Sequence, residues 1–367
     1  MTYSEKHILD HILKLTKRFI SIPSTEDNPT ALSEVLEVAK KELQGYFPME
    51  EFESKGIPSI LVHNTNKRTK HFKIILNGHL DVVPGKKDQF QTKIKNGKLY
   101  GRGAYDMKAA AAVMIVLFRN LAQEISYPLA LQIVTDEENY SEHTTQYQIK
   151  KGIRGEFVIC GESSSNLNIR NAAKGSLWIN IEASGKTAHG GYLWRGDNAL
   201  WKLSDVLHKI REIYPVPQEE IWATTINLAK IETPNIAANA VPDKAIAYLD
   251  IRFIHEDRDI LTKIKSLIPD DMKIHIIQDT IPTYVSPDNS FVTLLGQEIK
   301  KISPEDGQIQ NTHATSDIRF YNEVDCMGIE FGPKGGNPHS ENEYVDIQSL
   351  LDYYHILKNF LLSAPKL

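Results

Sequence analysis

Cysteine is scarce: the 367 residues hold two, Cys160 and Cys326, far apart and each in apolar sequence. They cannot build a disulfide framework, which fits a reducing compartment and two core thiols. Long apolar runs are missing as well. None approaches the ~20 residues that a membrane span requires. Met1–His7 has no basic stretch leading into an apolar one, so no membrane partner is expected and the expected location is the cytoplasm. Nor is there an excess of basic charge: 42 Lys and Arg stand against 47 Asp and Glu, a net charge of −5. Without a Lys/Arg stripe interleaved with aromatics, nucleic acid is a poor partner. Internal repeats and low-complexity tracts are absent too.

What is present is an ordinary globular composition, 41% hydrophobic and 24% charged, over a length that exceeds one typical core and predicts two domains. A Thr2-x-x-Glu5 capping box opens an amphipathic helix with Ile8, Ile12, Leu15 and Phe19 on its inner face. A second helix (Leu32, Val35, Val38, Leu43 and Phe47 inward) and a strand over 59–63 follow. From there strands over 73–78, 129–135 and 157–161 alternate with helices over 107–121 and 142–151, a rhythm that implies a largely parallel sheet. After Lys174 the texture changes. Strands over 177–183, 225–231, 245–253 and 273–277 and helices over 198–213 and 259–268 read as a smaller α+β unit with one exposed sheet face or edge. A helix over 291–301, a strand over 328–331 and a helix over 347–362 then complete the first domain. The expected fold is α/β, a mostly parallel sheet flanked by helices over 1–174 and 285–367, with an inserted domain over 175–284.

Five short clusters carry chemistry. Leu76-Asn77-Gly78-His79-Leu80-Asp81 ends a buried strand, with Gly78 expected to let the strand end turn tightly; Asp81 is placed to hold the His79 imidazole, as a carboxylate commonly does for a metal-bound histidine. Tyr100-Gly101-Arg102-Gly103-Ala104-Tyr105-Asp106 opens a helix. A phosphate loop is the rival reading, but Asp106 stands where a dinucleotide fingerprint needs a small residue; the bland reading is a helix N-cap. Thr135-Asp136-Glu137-Glu138 puts three acids at another strand's end, costly unless cations or solvent neutralise them. Adjacent strand residues face opposite ways, so Glu137 and Glu138 can share a site only if the run leaves the strand and turns. Cys160-Gly161-Glu162 and the loop Gly332–Ser340, with His339, complete the set. Ends of successive parallel strands face one crevice, so His79, Asp106, Glu138, Glu162 and His339 converge there. Two histidines and three carboxylates suit two borderline cations such as zinc, with Asp106 able to bridge them.

This order of motifs, His-x-Asp, Gly-Arg-Gly-x-x-Asp-Met-Lys, Asp-Glu-Glu, Gly-Glu and a late His followed by Asn342-Glu343-Tyr344-Val345, resembles the co-catalytic zinc amidohydrolases. That family includes carboxypeptidase G, acetylornithine deacetylase, succinyl-diaminopimelate desuccinylase, aminoacylase and several dipeptidases. The resemblance runs from about Ser21 to the C-terminus. It implies two Zn2+ per subunit, Co2+ or Mn2+ being alternatives: His79, Asp106 and Glu162 on one, Asp106, Glu138 and His339 on the other. It implies Asp81 orienting His79 and Glu137 as general base in hydrolysis of an amide next to a free carboxylate. The substrate would be an N-acyl amino acid or a short peptide.

The resemblance extends to the insert, Gly185-Lys186-Thr187-Ala188-His189-Gly190-Gly191, as a lid and dimerisation domain. It implies a homodimer in which His189 reaches the neighbouring subunit's site and stabilises the oxyanion, Asn239 lies near that oxyanion, and Arg252 meets a substrate carboxylate. Read from the residues alone, His189 is a turn residue and Arg252 a structural ion pair. Ala173-Lys174-Gly175-Ser176 lacks the paired arginines of the desuccinylases, which weakens a doubly acidic or desuccinylase-type substrate reading. Ala314-Thr315-Ser316-Asp317, Pro338 and the glycine-free Asn139–His143 also depart from the family pattern. None of these removes a ligand. His143 and His313 read as solvated. A fold relative without catalysis is the alternative from another class, and the intact ligands and base argue against it.

Overall fold

In a computed structural model, residues 2–67, 69–314 and 316–364 are described; Thr315 of the Ala314–Asp317 run lies outside them. The chain divides into two compact units: Met1–Ala172 with Tyr284–Gln310 and Ser316–Leu367, and Ala173–Thr283 with Asn311–Thr315. The short return at 311–315 has no counterpart in the expected boundaries.

The larger unit is built on a sheet whose strands run in the order Met49–Ser54, Ile57–His63, Leu129–Val134, His71–His79, Arg154–Cys160, Met327–Glu330, Ile169–Ala173. Its four central strands are parallel and its flanks antiparallel. Alternation sorts each central strand between two cores. Ile74, Leu76, Leu129, Leu131, Ile133, Phe157 and Ile159 join helices Tyr3–Ile20, Pro29–Leu43, Lys108–Leu121, Ser290–Ile302 and Ile347–Ser363 on one side. Ile75, Ala130, Val158 and Cys160 join Ile149, Ile318, Phe320 and Tyr321 on the other. With both faces covered the central strands become continuous apolar runs, and each branched side chain so buried contributes about 1.5–3 kcal/mol.

Helix Lys108–Leu121 lies close on the sheet because Ala109–Ala112 and two strand glycines leave room. A Cβ at Gly161 would stand 2.5 Å from Met107 Cε, and one at Gly78 3.0 Å from the same atom. Gly78 is therefore not the turn residue that the sequence suggests; it sits inside strand His71–His79 and admits the helix. Helix Thr145–Lys150 is shorter than expected because Asp136 takes the His143 N–H and the Thr144 hydroxyl, a local alternative to helix hydrogen bonds. The sequence reading has no counterpart for a small sheet ordered Gly335–Gly336, Tyr344–Asp346, Lys98–Tyr100, Lys93–Lys95.

The smaller unit is a four-stranded antiparallel sheet, Thr225–Glu232, Lys244–Phe253, Gly175–Ser184, Lys273–Thr280. Helices Ala199–Ile213 and Ile260–Ser266 cover one face, where Leu177, Ile179, Leu203, Val206, Leu249 and Ile251 form its core. Trp178, Leu228 and Ile276 lie exposed on the sheet. Among the described residues no helix is long and apolar enough to cross a membrane. Cys160 and Cys326 are buried free thiols.

Candidate metal centre

Register explains why distant residues meet. His79 pairs with Val134, and Asn77 with Cys160, so the segments that leave the ends of these strands start at one level. His79 is the last residue of its strand, Glu162 follows Cys160 by two, and Glu137 and Glu138 open a one-turn 3-10 helix, Glu137–Asn139, just past Val134. That turn removes the strand alternation, so the two acids are no longer forced apart. Asp106 arrives from the loop ahead of helix Lys108–Leu121. The helix N-cap is Met107, not Asp106, and the Asp106 carboxylate faces the histidines.

The geometry is that of two overlapping donor sets. His79 Nε2 lies 3.1 Å from Asp106 Oδ1 and 3.5 Å from Glu162 Oε1. His339 Nε2 lies 3.3 Å from Asp106 Oδ2 and 3.2 Å from Glu138 Oε1. Asp106 thus offers one oxygen to each set. The donor atoms of each triad lie within 4.8 Å of one another. Donors at ~2.0–2.1 Å from a tetrahedral cation stand ~3.3 Å apart, so these spacings admit an ion at each triad. Glu138 Oε1 is buried without a hydrogen-bond partner among the described residues, although His339 Nε2 is close; a cation between them would satisfy both.

The electrostatics carry the same sign. Burial works to lower the His79 pKa, but Glu162, Asp106 and Asp81 outweigh it and hold the imidazole well above its ordinary value. The carboxylates of Asp106 and Glu138 beside its ring push His339 up to about 10. Burial raises Asp106, yet the two histidines overcome it and hold the carboxyl below its usual range. Burial, then the Asp106 charge, lifts Glu162 to about 7. Glu137 is pushed well above the carboxylate range by desolvation first and the Glu162 charge second. A site in which Glu137 and Glu162 resist ionisation and both histidines hold protons lacks positive charge, which divalent cations supply.

The supporting residues are equally specific. His79 Nδ1 lies 3.1 Å from the Asp81 carbonyl oxygen and 3.5 Å from its Oδ1, so the backbone of Asp81 is nearer the ring than its carboxylate. Buried Lys108 donates to the carbonyls of Phe19 (2.9 Å) and Ile22 (2.8 Å), and burial lowers its pKa to about 7. Asp317 accepts from the Ser141 and Thr145 hydroxyls beneath the turn that carries Glu137. That role was missed: an acid in a loop gives no signal of which hydroxyls it meets.

His189, Asn239 and Arg252 belong to the smaller unit. His189 and Asn239 are exposed and adjacent there: Gly190 N–H donates to Asn239 O at 2.6 Å, and His189 bridges Ala240. Arg252 donates from Nε to Asp250 Oδ1 (2.9 Å) and from Nη2 to Oδ2 (3.4 Å). His143 and His313 have partners, Ser54 Oγ and Glu220 Oε1, each at 3.2 Å.

Similarity to known proteins follows the same architecture. The chain is 28% identical over 373 residues to a succinyl-diaminopimelate desuccinylase of Coxiella burnetii, covering 94% of this chain and 98% of that protein. Among solved structures it superposes on aminopeptidase PepT of Bacillus cereus with a TM-score of 0.77 at 17% identity, covering 96% and 98% of the two chains. The YXEP protein of Bacillus subtilis, described as a dinuclear metal binding peptidase, superposes with a TM-score of 0.68 at 10% identity, covering 98% and 99%. Residues 75–363 match the profile of peptidase family M20/M25/M40, and the chain belongs to that family.

Proposed function

We propose that the chain hydrolyses the amide bond of an N-acyl amino acid with two divalent cations, zinc in the first instance, held by His79, Asp106 and Glu162 and by Asp106, Glu138 and His339. The observation that carries this reading is Asp106, whose two oxygens face two histidines in two triads. When bound, two such ions would lower the pKa of a water toward ~7 and polarise a carbonyl oxygen.

The chain's own residues do the rest. Glu137, its carboxyl already biased toward holding a proton, takes one from the attacking water and delivers it to the leaving nitrogen. Asp81 keeps the His79 ring in place through its carbonyl and carboxylate. Arg252 has N–H groups beyond the two given to Asp250 and takes the substrate carboxylate. Asn239 and His189 stabilise the oxyanion, His189 acting in the neighbouring subunit of a cytoplasmic homodimer; sedimentation showing only monomer would remove that role.

A panel of N-acetyl- and N-succinyl-amino acids assayed with added zinc tests the reading, and release of the free amine only when metal is present is the expected result. The relative from Coxiella burnetii is named for desuccinylation, whereas Lys174 here is 2% exposed and lies over the Trp222 ring at 5.8 Å, so the acyl group is the variable to scan. A second reading, a dipeptidase or carboxypeptidase, is favoured by the two peptidases among the superposing structures. Faster turnover of dipeptides than of acyl amino acids would select it.

A further inference from the structure

We infer that Glu343 and Arg102 form a clamp that fixes the separation of the loops carrying Asp106 and His339, and thereby sets the affinity of the second cation site. The inference rests on the two-cation reading above. Glu343 is 2% exposed and stands outside both donor triads. Its Oε2 accepts from Arg102 Nη1 at 2.8 Å and from Gly103 N–H at 3.0 Å; its Oε1 accepts from Tyr105 N–H at 2.9 Å and Asp106 N–H at 3.1 Å. The last donor is the backbone of the bridging residue itself.

Arg102 extends the clamp to the other loop. Its Nη2 donates to the His339 carbonyl and its Nη1 to the Ser340 carbonyl, both at 3.3 Å. One continuous chain of hydrogen bonds therefore runs from the Asp106 amide through a buried ion pair to the His339 carbonyl. His339 has φ +59°, a left-handed conformation that a non-glycine residue keeps when its surroundings impose it. Gly103 has φ +79°, and a Cβ there would stand 2.7 Å from Val82 and 2.9 Å from Lys108, so the other loop is packed closely at this point. The small sheet supplies the platform: Tyr344 pairs with both Tyr100 and Gly336.

A buried carboxylate is stable only when its lone pairs are filled, and Glu343 fills them with the backbone of one loop and a guanidinium reaching the other. Glu343 touches neither His79 nor Glu162, which stand on or just past strand ends of the main sheet. Both ends of the clamp sit on the Asp106–His339 pair, whereas in the first triad only Asp106 is held by it, so loosening it should disturb the second site more than the first. Glu343 is a positioning residue, not a catalytic one.

The test is a Co2+ titration of the metal-depleted full chain, followed by calorimetry and ligand-field absorption. The wild-type chain should take two equivalents; one equivalent only would overturn the two-cation reading itself. In Glu343→Gln the second equivalent should bind about tenfold or more weakly, the usual size of an outer-sphere effect on metal affinity, and the first should weaken clearly less. Arg102→Lys retains a cation near Glu343 but cannot also span to both loop carbonyls; it should show the same selective loss in milder form, and it decides the matter if the first variant does not fold. A purely structural role would lower the thermal midpoint and leave both binding constants unchanged. That result, or equal weakening of both sites, with two equivalents bound by the wild type, would overturn the clamp alone.

Discussion

The backbone N–H of Glu138 donates to Asp81 Oδ2 at 2.9 Å, so the residue beside one candidate ligand holds the start of the turn that carries another. Asp81 is 2% exposed, and its second oxygen points to His79 Nδ1 at 3.5 Å. Asn at this position can keep only one of the two relationships, because its amide places a donor where His79 also needs an acceptor. Asp81→Asn should therefore lower metal affinity or kcat by about 10–100-fold. Elemental analysis together with steady-state rates at saturating zinc would separate the two effects; wild-type values for both would remove Asp81 from the site.

Glu137 lies one residue from a candidate ligand yet joins neither triad. Glu137→Ala should keep the metal content while kcat falls by at least about 10²–10⁴-fold, the usual contribution of a positioned general base. Unchanged turnover would exclude it from proton transfer. Loss of metal instead would make it a ligand.

Stability of the cation-free chain should depend on pH in a stated direction. His339 is raised from 6.5 to about 10 by Asp106 and Glu138, Glu162 from 4.5 to about 7 by burial and Asp106, and Asp136 from 3.8 to about 7 by burial. In each case the folded chain holds its proton more tightly than the unfolded one. The stabilisation is complete below the ordinary value and is lost as pH rises through the folded value. The two acids thus lose theirs approaching pH 7, and His339 loses its share between 6.5 and about 10. Asp106, held low, works oppositely and matters only in acid, where its contribution disappears as pH falls. Cations displace the ligands' protons, so the loaded enzyme should show a flatter curve. Lys108, lowered to about 7, adds stability as pH rises above that value and does so with or without cations. Thermal melts with and without chelator between about pH 6 and about pH 9.5 therefore test this by their difference; a gap between loaded and cation-free midpoints that does not widen over that range would contradict it.

The centre was legible where apolar strands end in chemistry. Leu76–His79, Leu129–Val134 and Phe157–Cys160 are buried runs whose parallel pairing leaves their exits level, so His79, Glu138 and Glu162 could be grouped before any coordinates. The clamp was not legible. Lys98–Tyr100 and Tyr344–Asp346 are three-residue strands, too short for periodicity to register, and Glu343 follows His339 so closely that it reads as part of one motif. Gly78 was misread because a glycine at a strand end suggests a turn, whereas here it is the approach of Met107 that forbids a side chain. Arg252 could have been paired from the sequence, since Asp250 is two residues away and shares its face of the strand.

Behind Glu137 the fully buried Asp317 accepts from the hydroxyls of Ser141 and Thr145, while Arg319 holds the Tyr140 carbonyl at 3.0 Å. Tyr140 and Ser141 both have left-handed backbone, φ 69° and 51°, so this turn depends on its partners to stay formed. Asp317→Ala leaves two buried hydroxyls without an acceptor, each costing about 1–3 kcal/mol. It should also let Glu137 drift and lower kcat by about tenfold or more, since displacements near 1 Å degrade an aligned site. Asp317→Asn keeps one carbonyl acceptor and should fall between. Denaturant unfolding beside steady-state kinetics distinguishes the effects: lowered stability with wild-type kcat in Asp317→Ala would confine this residue to folding, whereas a drop in kcat that persists at saturating substrate and zinc would tie the buried acid to the placement of Glu137.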